Sequence, residues 1–319
     1  MIMITGGLGF IGSHTARALL ERGESCVLVQ RREPGAPPRL LADAFGERLF
    51  VERADVADLR ALLEIGGRHG VTGVLHLAGA YFGDPVADAR ADVNALLNVV
   101  QAAAAWGVAR VGIASSIGVY DGDGESPLRE DRPLPLGAHH AIASAKKVNE
   151  ILASHLGPAT GVQIYAARIG AIWGPLGRTA SRFFATPQLV HAAVSGQNPD
   201  FSTMLGGRGP YAEDGFDMLY APDCGRALAA LQLAERLEHR VYNVAAGRVT
   251  TYRELADAID AAVPGARPDL PRGHDPQLAL PQSWLDVSRL RKDTAYEPAH
   301  DTASAVADYV AWLRAGNER

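Results

Sequence analysis

TGGLGFIG, Thr5 to Gly12, ends the apolar run MIMIT and opens the amphipathic stretch FIGSHTARALLERG. A strand, a glycine-rich turn and a helix are expected in that order, with Phe10 and Ile11 at the mouth of the helix. Gly6, Gly9 and Gly12 permit a tight turn and the close approach of a pyrophosphate. The helix N-terminus adds free N–H groups and a favourable dipole. Glycine spacing alone is a weak signal, but the strand before it and the helix after it make this a dinucleotide-binding turn.

Working outward, short β-branched runs alternate with helical stretches: SCVLVQ, LFVE, DLRALLEI, VTGVLHLA, a long alanine-rich helix near Val86 to Trp106, and ARVGIASS. That rhythm predicts an α/β fold, a doubly wound parallel sheet with helices on both faces. A helix from about Ile142 and the strand VQIYAAR complete a dinucleotide-binding domain over 1–173. Residues 174–319 then read as a smaller mixed α/β substrate lobe, with part of 217–245 packing back on the first domain. A 47% hydrophobic content suffices for a core of this size.

A formal charge of −5 and the lack of a basic run exclude nucleic acid and anionic membranes as partners. Cys26 and Cys224 are too few for a disulfide framework and fit a reducing compartment. No apolar run reaches the length of a membrane span, and the motif strand starts at Met1, so a cytoplasmic location is expected. The partner expected is a small-molecule substrate.

The second strand ends at Gln30, where an acidic side chain would grip an adenosine ribose. Gln30 removes the charge that repels a 2′-phosphate, and Arg31 and Arg32 add guanidinium groups able to bind one. NADP is therefore expected over NAD. The competing reading makes the two arginines caps of a solvated loop.

Further motifs stand in a telling order: Asp55 in RADVAD, LHLAG, Asn94 in DVNALLNVVQAA, SSIGVY, ARIGAIWGP, DMLYAPD, YNVAAG and RKDTAYEP. Over nearly its whole length the chain resembles the extended short-chain dehydrogenase/reductases of the NAD-dependent epimerase/dehydratase type. The resemblance implies that Asp55 and Val56 border the adenine, and that Leu77, Ala78 and Gly79 line the middle of the cofactor. It gives Ser116 the place of the catalytic Ser or Thr, and Lys146 that of the lysine that holds the nicotinamide ribose. It also implies a homodimer joined through the Val86–Trp106 helix and the helix from Ile142.

One departure stands at the centre of this pattern. The family's tyrosine, four residues before the lysine, is Ile142, which cannot exchange a proton. A histidine just before the helix could substitute, and His140, two residues before Ile142, is expected to perform the proton transfer rather than His139; Tyr81 or Tyr120 could reach in instead. The alternatives are redox-neutral lyase, isomerase or dehydratase chemistry, and a non-catalytic NADP-binding sensor. Ala171 and Phe216 stand where nucleotide-sugar members carry an Asn and an Arg for the diphosphate, which points away from that substrate class. Phe183, Phe184, Trp173 and Phe216 would give an apolar pocket. The expected activity is an oxidoreductase or epimerase-like reaction on a hydroxyl- or carbonyl-bearing small molecule.

Overall fold

The computed structural model describes residues 1–33, 38–79, 81, 83–123, 125–204, 206–277 and 282–317. The chain runs β1 (Ile2–Thr5), α1 (Phe10–Glu21), β2 (Cys26–Gln30), β3 (Leu49–Arg53), α2 (Leu59–His69), β4 (Gly73–His76), α3 (Pro85–Ala105) and β5 (Arg110–Ser116). It continues through α4 (Ala141–Thr160), β6 (Gln163–Ile169), β7 (Ala171–Trp173), α5 (Thr186–Ser195), β8 (Gly215–Phe216), β9 (Met218–Tyr220) and α6 (Ala221–Leu233). β10 (Val241–Val244), β11 (Thr250–Thr251), α7 (Tyr252–Ala262), α8 (Ser288–Thr294) and α9 (Thr302–Arg314) complete it.

Seven parallel strands form the main sheet in the order β10-β6-β5-β4-β1-β2-β3. The apolar runs of the first half are its buried strands: β1 and β4 are inaccessible along their whole length. Such runs need helices on both faces. One apolar cluster fills the face covered by α1 and α6, and a second fills the face covered by α2, α3 and α4. After the small lobe begins, the chain returns to the sheet: α6 lies on α1, with Gly225 against the backbone of His14, and β10 pairs with β6.

The chain crosses between β1 and β4, whose neighbours were built in opposite directions, and this switch point opens a crevice at the strand C-termini. Beyond it, the small lobe holds two two-stranded sheets, β7-β9 and β11-β8, packed with α5, α7 and α9. Trp173 and Phe184 are 3% and 8% exposed within that lobe's core. Both are packing residues of that core, and Trp173 also borders a cavity of about 440 Å³ in the small lobe, with Tyr220, Thr250 and His300. Burying an aromatic ring among Tyr220, Tyr252 and Tyr309 removes far more apolar area from water than a cleft wall would. Phe216 packs against Phe184 and Tyr252 in the same cluster, and Phe183 is 47% exposed.

Cys26 and Cys224 are both free and buried. Among the described residues no helix is long and apolar enough to cross a membrane.

Candidate functional site

The glycine turn does what its spacing predicts. Gly6 has φ +69°, a left-handed conformation. A Cβ on Gly12 would run into the carbonyl oxygen of Gly6 and the backbone of Gly7, so only glycine lets α1 begin this close to β1. Gly9 caps α1 without a side chain, which leaves the first N–H groups of that helix unclaimed by a cap residue. Phe10 and Ile11, half-buried, form its first turn.

A cleft of about 280 Å³ extends from this turn across the ends of β1 to β4. Gly6, Gln30, Arg31, Arg32, Asp55, Val56, Ala78 and Gly79 line it, with Asp88, Ala91, Asp92 and Ala95 of α3 opposite. The expected residues thus converge from four separate segments; Leu77, half-buried, directly precedes the lining pair Ala78 and Gly79. Asp55 turns its Oδ1 back to accept from the Ala57 N–H. Arg31 and Arg32 are exposed on the cleft rim and pair with no carboxylate among the described residues.

Lys146 lies on the inner face of α4, 7% exposed. Burial lowers its pKa, and the carboxylate of Asp92 opposes that shift. No hydrogen bond or ion pair engages its ammonium among the described residues; its neighbour is the ring of Tyr81, with the centroid 5.0 Å from Nζ. Lys147 instead donates to the carbonyls of Pro135 and Gly137 and pins the loop before α4. That difference leaves Lys146, and not Lys147, with an ammonium uncommitted to a backbone carbonyl among the described residues. His76, buried at the end of β4 with Nδ1 2.7 Å from Thr5 Oγ1, is pushed down to about 4 by burial and by Lys146.

Ser116 ends β5 and accepts from the Gly118 N–H. A Cβ on Gly118 would stand 3.3 Å from His140 Nε2 and 3.4 Å from Ser116 Oγ, so both polar atoms border one space that a glycine keeps open. His140 is the N-cap of α4, its Nδ1 accepting from the Ala143 N–H at 3.2 Å. An amide only donates, so the neutral ring carries its proton on Nε2 and offers a donor towards that space. His139 is arranged the other way: its Nδ1 lies 2.8 Å from Asp121 Oδ2, which leaves Nε2 as an acceptor. Ile142 sits half-buried in the first turn of α4.

Two sequence candidates go elsewhere. Tyr120 is buried in a network: it donates to Asn243 Oδ1 and accepts from Arg168, which in turn pairs with Glu150 in a two-pronged ion pair. Asn94 is exposed on α3. The neighbours that face inward are Asp92, which accepts from Tyr81 and Asn149, and Asn98, which donates to the carbonyls of Val56 and Ala57. Helical periodicity explains the correction, since Asp88, Asp92 and Ala95 share one face of α3 and Asn94 lies off it. The same spacing, with Asn149 three residues after Lys146, was the available signal for the residues that sequence reading missed.

A family model for the NAD dependent epimerase/dehydratase family matches residues 2–245. The chain belongs to that family. Members similar to it along its length include a UDP-glucose 4-epimerase of Azospirillum brasilense, 25% identical over 98% of this chain and 92% of that protein. A dTDP-glucose 4,6-dehydratase of Streptomyces griseus is 27% identical over 98% and 93%. In fold, the chain matches a UDP-N-acetylglucosamine 4-epimerase of Methanobrevibacter ruminantium with a TM-score of 0.83, 22% identity and coverage of 99% and 98%. It also matches a UDP-glucose 4-epimerase of Bifidobacterium longum solved with NAD+ and UDP, with a TM-score of 0.78 and 18% identity. In this member of the family the dinucleotide fits the residues present: the glycine turn leaves room for a pyrophosphate, and the buried Lys146 ammonium lacks the partner a ribose hydroxyl would supply.

Proposed function

We propose that this protein is an NADP(H)-dependent enzyme of the epimerase/dehydratase type, acting on a hydroxyl- or carbonyl-bearing small molecule. The observation that carries this reading is the Lys146 ammonium, buried on α4 near a glycine-built cleft with no hydrogen-bond or ion-pair partner among the described residues. Leaving an ammonium buried without a hydrogen bond costs free energy unless a ligand completes it. Gly6, Gly9 and Gly12 hold the pyrophosphate, Asp55 and Val56 border the adenine, and Lys146 holds the second ribose. When bound, the nicotinamide supplies or accepts a hydride. Arg31 and Arg32 favour the 2′-phosphate of NADP; the family's NAD dependence and the NAD-bound fold neighbour make NAD the competitor to measure.

Ser116 Oγ and His140 Nε2–H engage the substrate oxygen. A neutral imidazole can polarise a carbonyl as a donor. His140, expected to move the proton, is restricted to that part while its Nδ1 caps α4, so we assign the proton to the exposed His139, whose ring Asp121 orients. The relatives named above work on nucleotide sugars, which weighs towards that class. Against it stand Ala171 and Phe216, a methyl and a phenyl ring that cannot bind a diphosphate, and we read the substrate as lacking one.

The experiment combines calorimetry of NADP, NAD and UDP with a turnover panel of sugars, nucleotide sugars and simple carbonyls, followed by nicotinamide absorbance and by NMR of the products. NADP binding and turnover without UDP affinity are expected. His140→Ala or His139→Ala then lowers turnover by about 10²- to 10⁴-fold. Tight UDP binding would overturn the substrate assignment, and cofactor binding with no turnover across the panel would leave a sensor.

The enzyme is further read as a homodimer. Leu97 of α3 and Val148 and Ile151 of α4 are 39%, 39% and 67% exposed on the helices expected to pair. Ile151→Asp should turn a dimer into a monomer in light scattering.

A further inference from the structure

The Lys146 ammonium has one aromatic neighbour whose other contacts lie on the cleft wall. The Tyr81 ring lies against its ammonium, and the Tyr81 phenol donates to Asp92 Oδ1 at 2.8 Å. Asp92 is 6% exposed and its other oxygen accepts from Asn149 Nδ2 at 2.7 Å, so the carboxylate is itself held from α4, one turn beyond Lys146. A Cβ on Gly79 would overlap the Tyr81 phenol, so the ring reaches over the very glycine that lines the cleft. Tyr81 therefore touches two elements of the cleft wall, Gly79 and Asp92, and the Lys146 ammonium as well.

From this arrangement we infer that Tyr81, tethered to Asp92, is a gate on the nicotinamide-ribose half of the cofactor site. The inference rests on the cofactor reading given above. A cation lying over an aromatic face is weakly attracted to it, whereas a hydroxyl oxygen accepts directly from the ammonium. Exchanging the ring for a ribose hydroxyl is favourable at Lys146, but it breaks the phenol–carboxylate bond. The tether sets how much cofactor affinity is lost in opening. The adenosine half, bounded by Asp55, Val56, Arg31 and Arg32, involves no such exchange.

The two halves are separable by ligand. ADP fills the adenosine and pyrophosphate positions, while NAD and NADP also need Lys146. Tyr81→Phe keeps the ring and removes the tether, so calorimetry should show NAD and NADP binding tightened by roughly tenfold, the scale of one hydrogen bond to a charged group. ADP affinity should stay within about twofold. Tyr81→Leu, which also removes the aromatic face, should tighten NAD at least as much. With fluorotyrosine incorporated, the resonance lost in Tyr81→Phe should move on addition of NAD and stay put on addition of ADP. Unchanged or weakened NAD binding in Tyr81→Phe, with ADP binding intact, would overturn the gate. Failure of the unmodified protein to bind ADP would overturn the cofactor reading itself, and the gate with it.

Discussion

The end of the cleft at the glycine turn and the half around Lys146 are built by different means. The first is made of backbone: a left-handed Gly6, a Gly12 packed on the Gly6 carbonyl, an Asx turn at Asp55 and the open N-terminus of α1. The second is made of side chains brought from distant segments: Tyr81 to Asp92, Asn149 to Asp92, Ser115 to Glu150 and Arg168 to Glu150. Backbone geometry tolerates almost any sequence that keeps its glycines, and it suits the pyrophosphate that dinucleotides share. Side-chain networks can be rewired one residue at a time, and Ile142, in the first turn of α4, lies on the helix that carries this half's Lys146, Asn149 and Glu150.

If that division is right, the largest stability effect should come from the side-chain half. Arg168 and Glu150 are 4% and 9% exposed in their side chains and joined at 2.7 Å. Glu150→Ala strands the guanidinium and should cost about 3–5 kcal/mol in denaturant unfolding. A cost under about 1 kcal/mol would mean that the network is not structural.

A smaller effect should appear as pH dependence. His76 titrates at an ordinary imidazole's 6.5 when unfolded, and burial pushes it down to about 4 when folded. Between those values the unfolded chain binds the extra proton, so stability is full above about pH 6.5 and is lost as the pH falls towards about 4. The slope from this group is about 1.4 kcal/mol per pH unit. His76→Gln should flatten that part of the stability profile, and an unchanged profile would remove His76 as its source.

The smallest effect should lie in the backbone half, where side chains only tune what the glycines hold. Arg31→Ala together with Arg32→Ala should weaken NADP by roughly 10- to 100-fold, as expected for lost charge-assisted bonds, and leave NAD within about twofold. Equal losses for both cofactors would show that the arginines act on the pyrophosphate or on the fold, and would break the division between the halves.

The sequence by itself determined the parallel sheet, the glycine turn and the two lysines of α4, because each depends on contacts within one strand–turn–helix unit. The apolar runs from Ile2 to Ser116 could be buried only between helices, and TGGLGFIG could do little but turn. The sequence also set out which residue types are missing, Ile142 above all. Tertiary structure alone decided what each polar side chain does. It retired Tyr120 into a bond with Asn243 and Arg168, turned Asn94 outward in favour of Asp92, sank Trp173 and Phe184 into the small lobe, and made His140 a helix cap. The reason is range: a glycine's role follows from its own φ and its immediate neighbours, whereas a phenol or carboxylate takes whichever partner the packing of remote segments brings within 3 Å, and no local pattern records that choice.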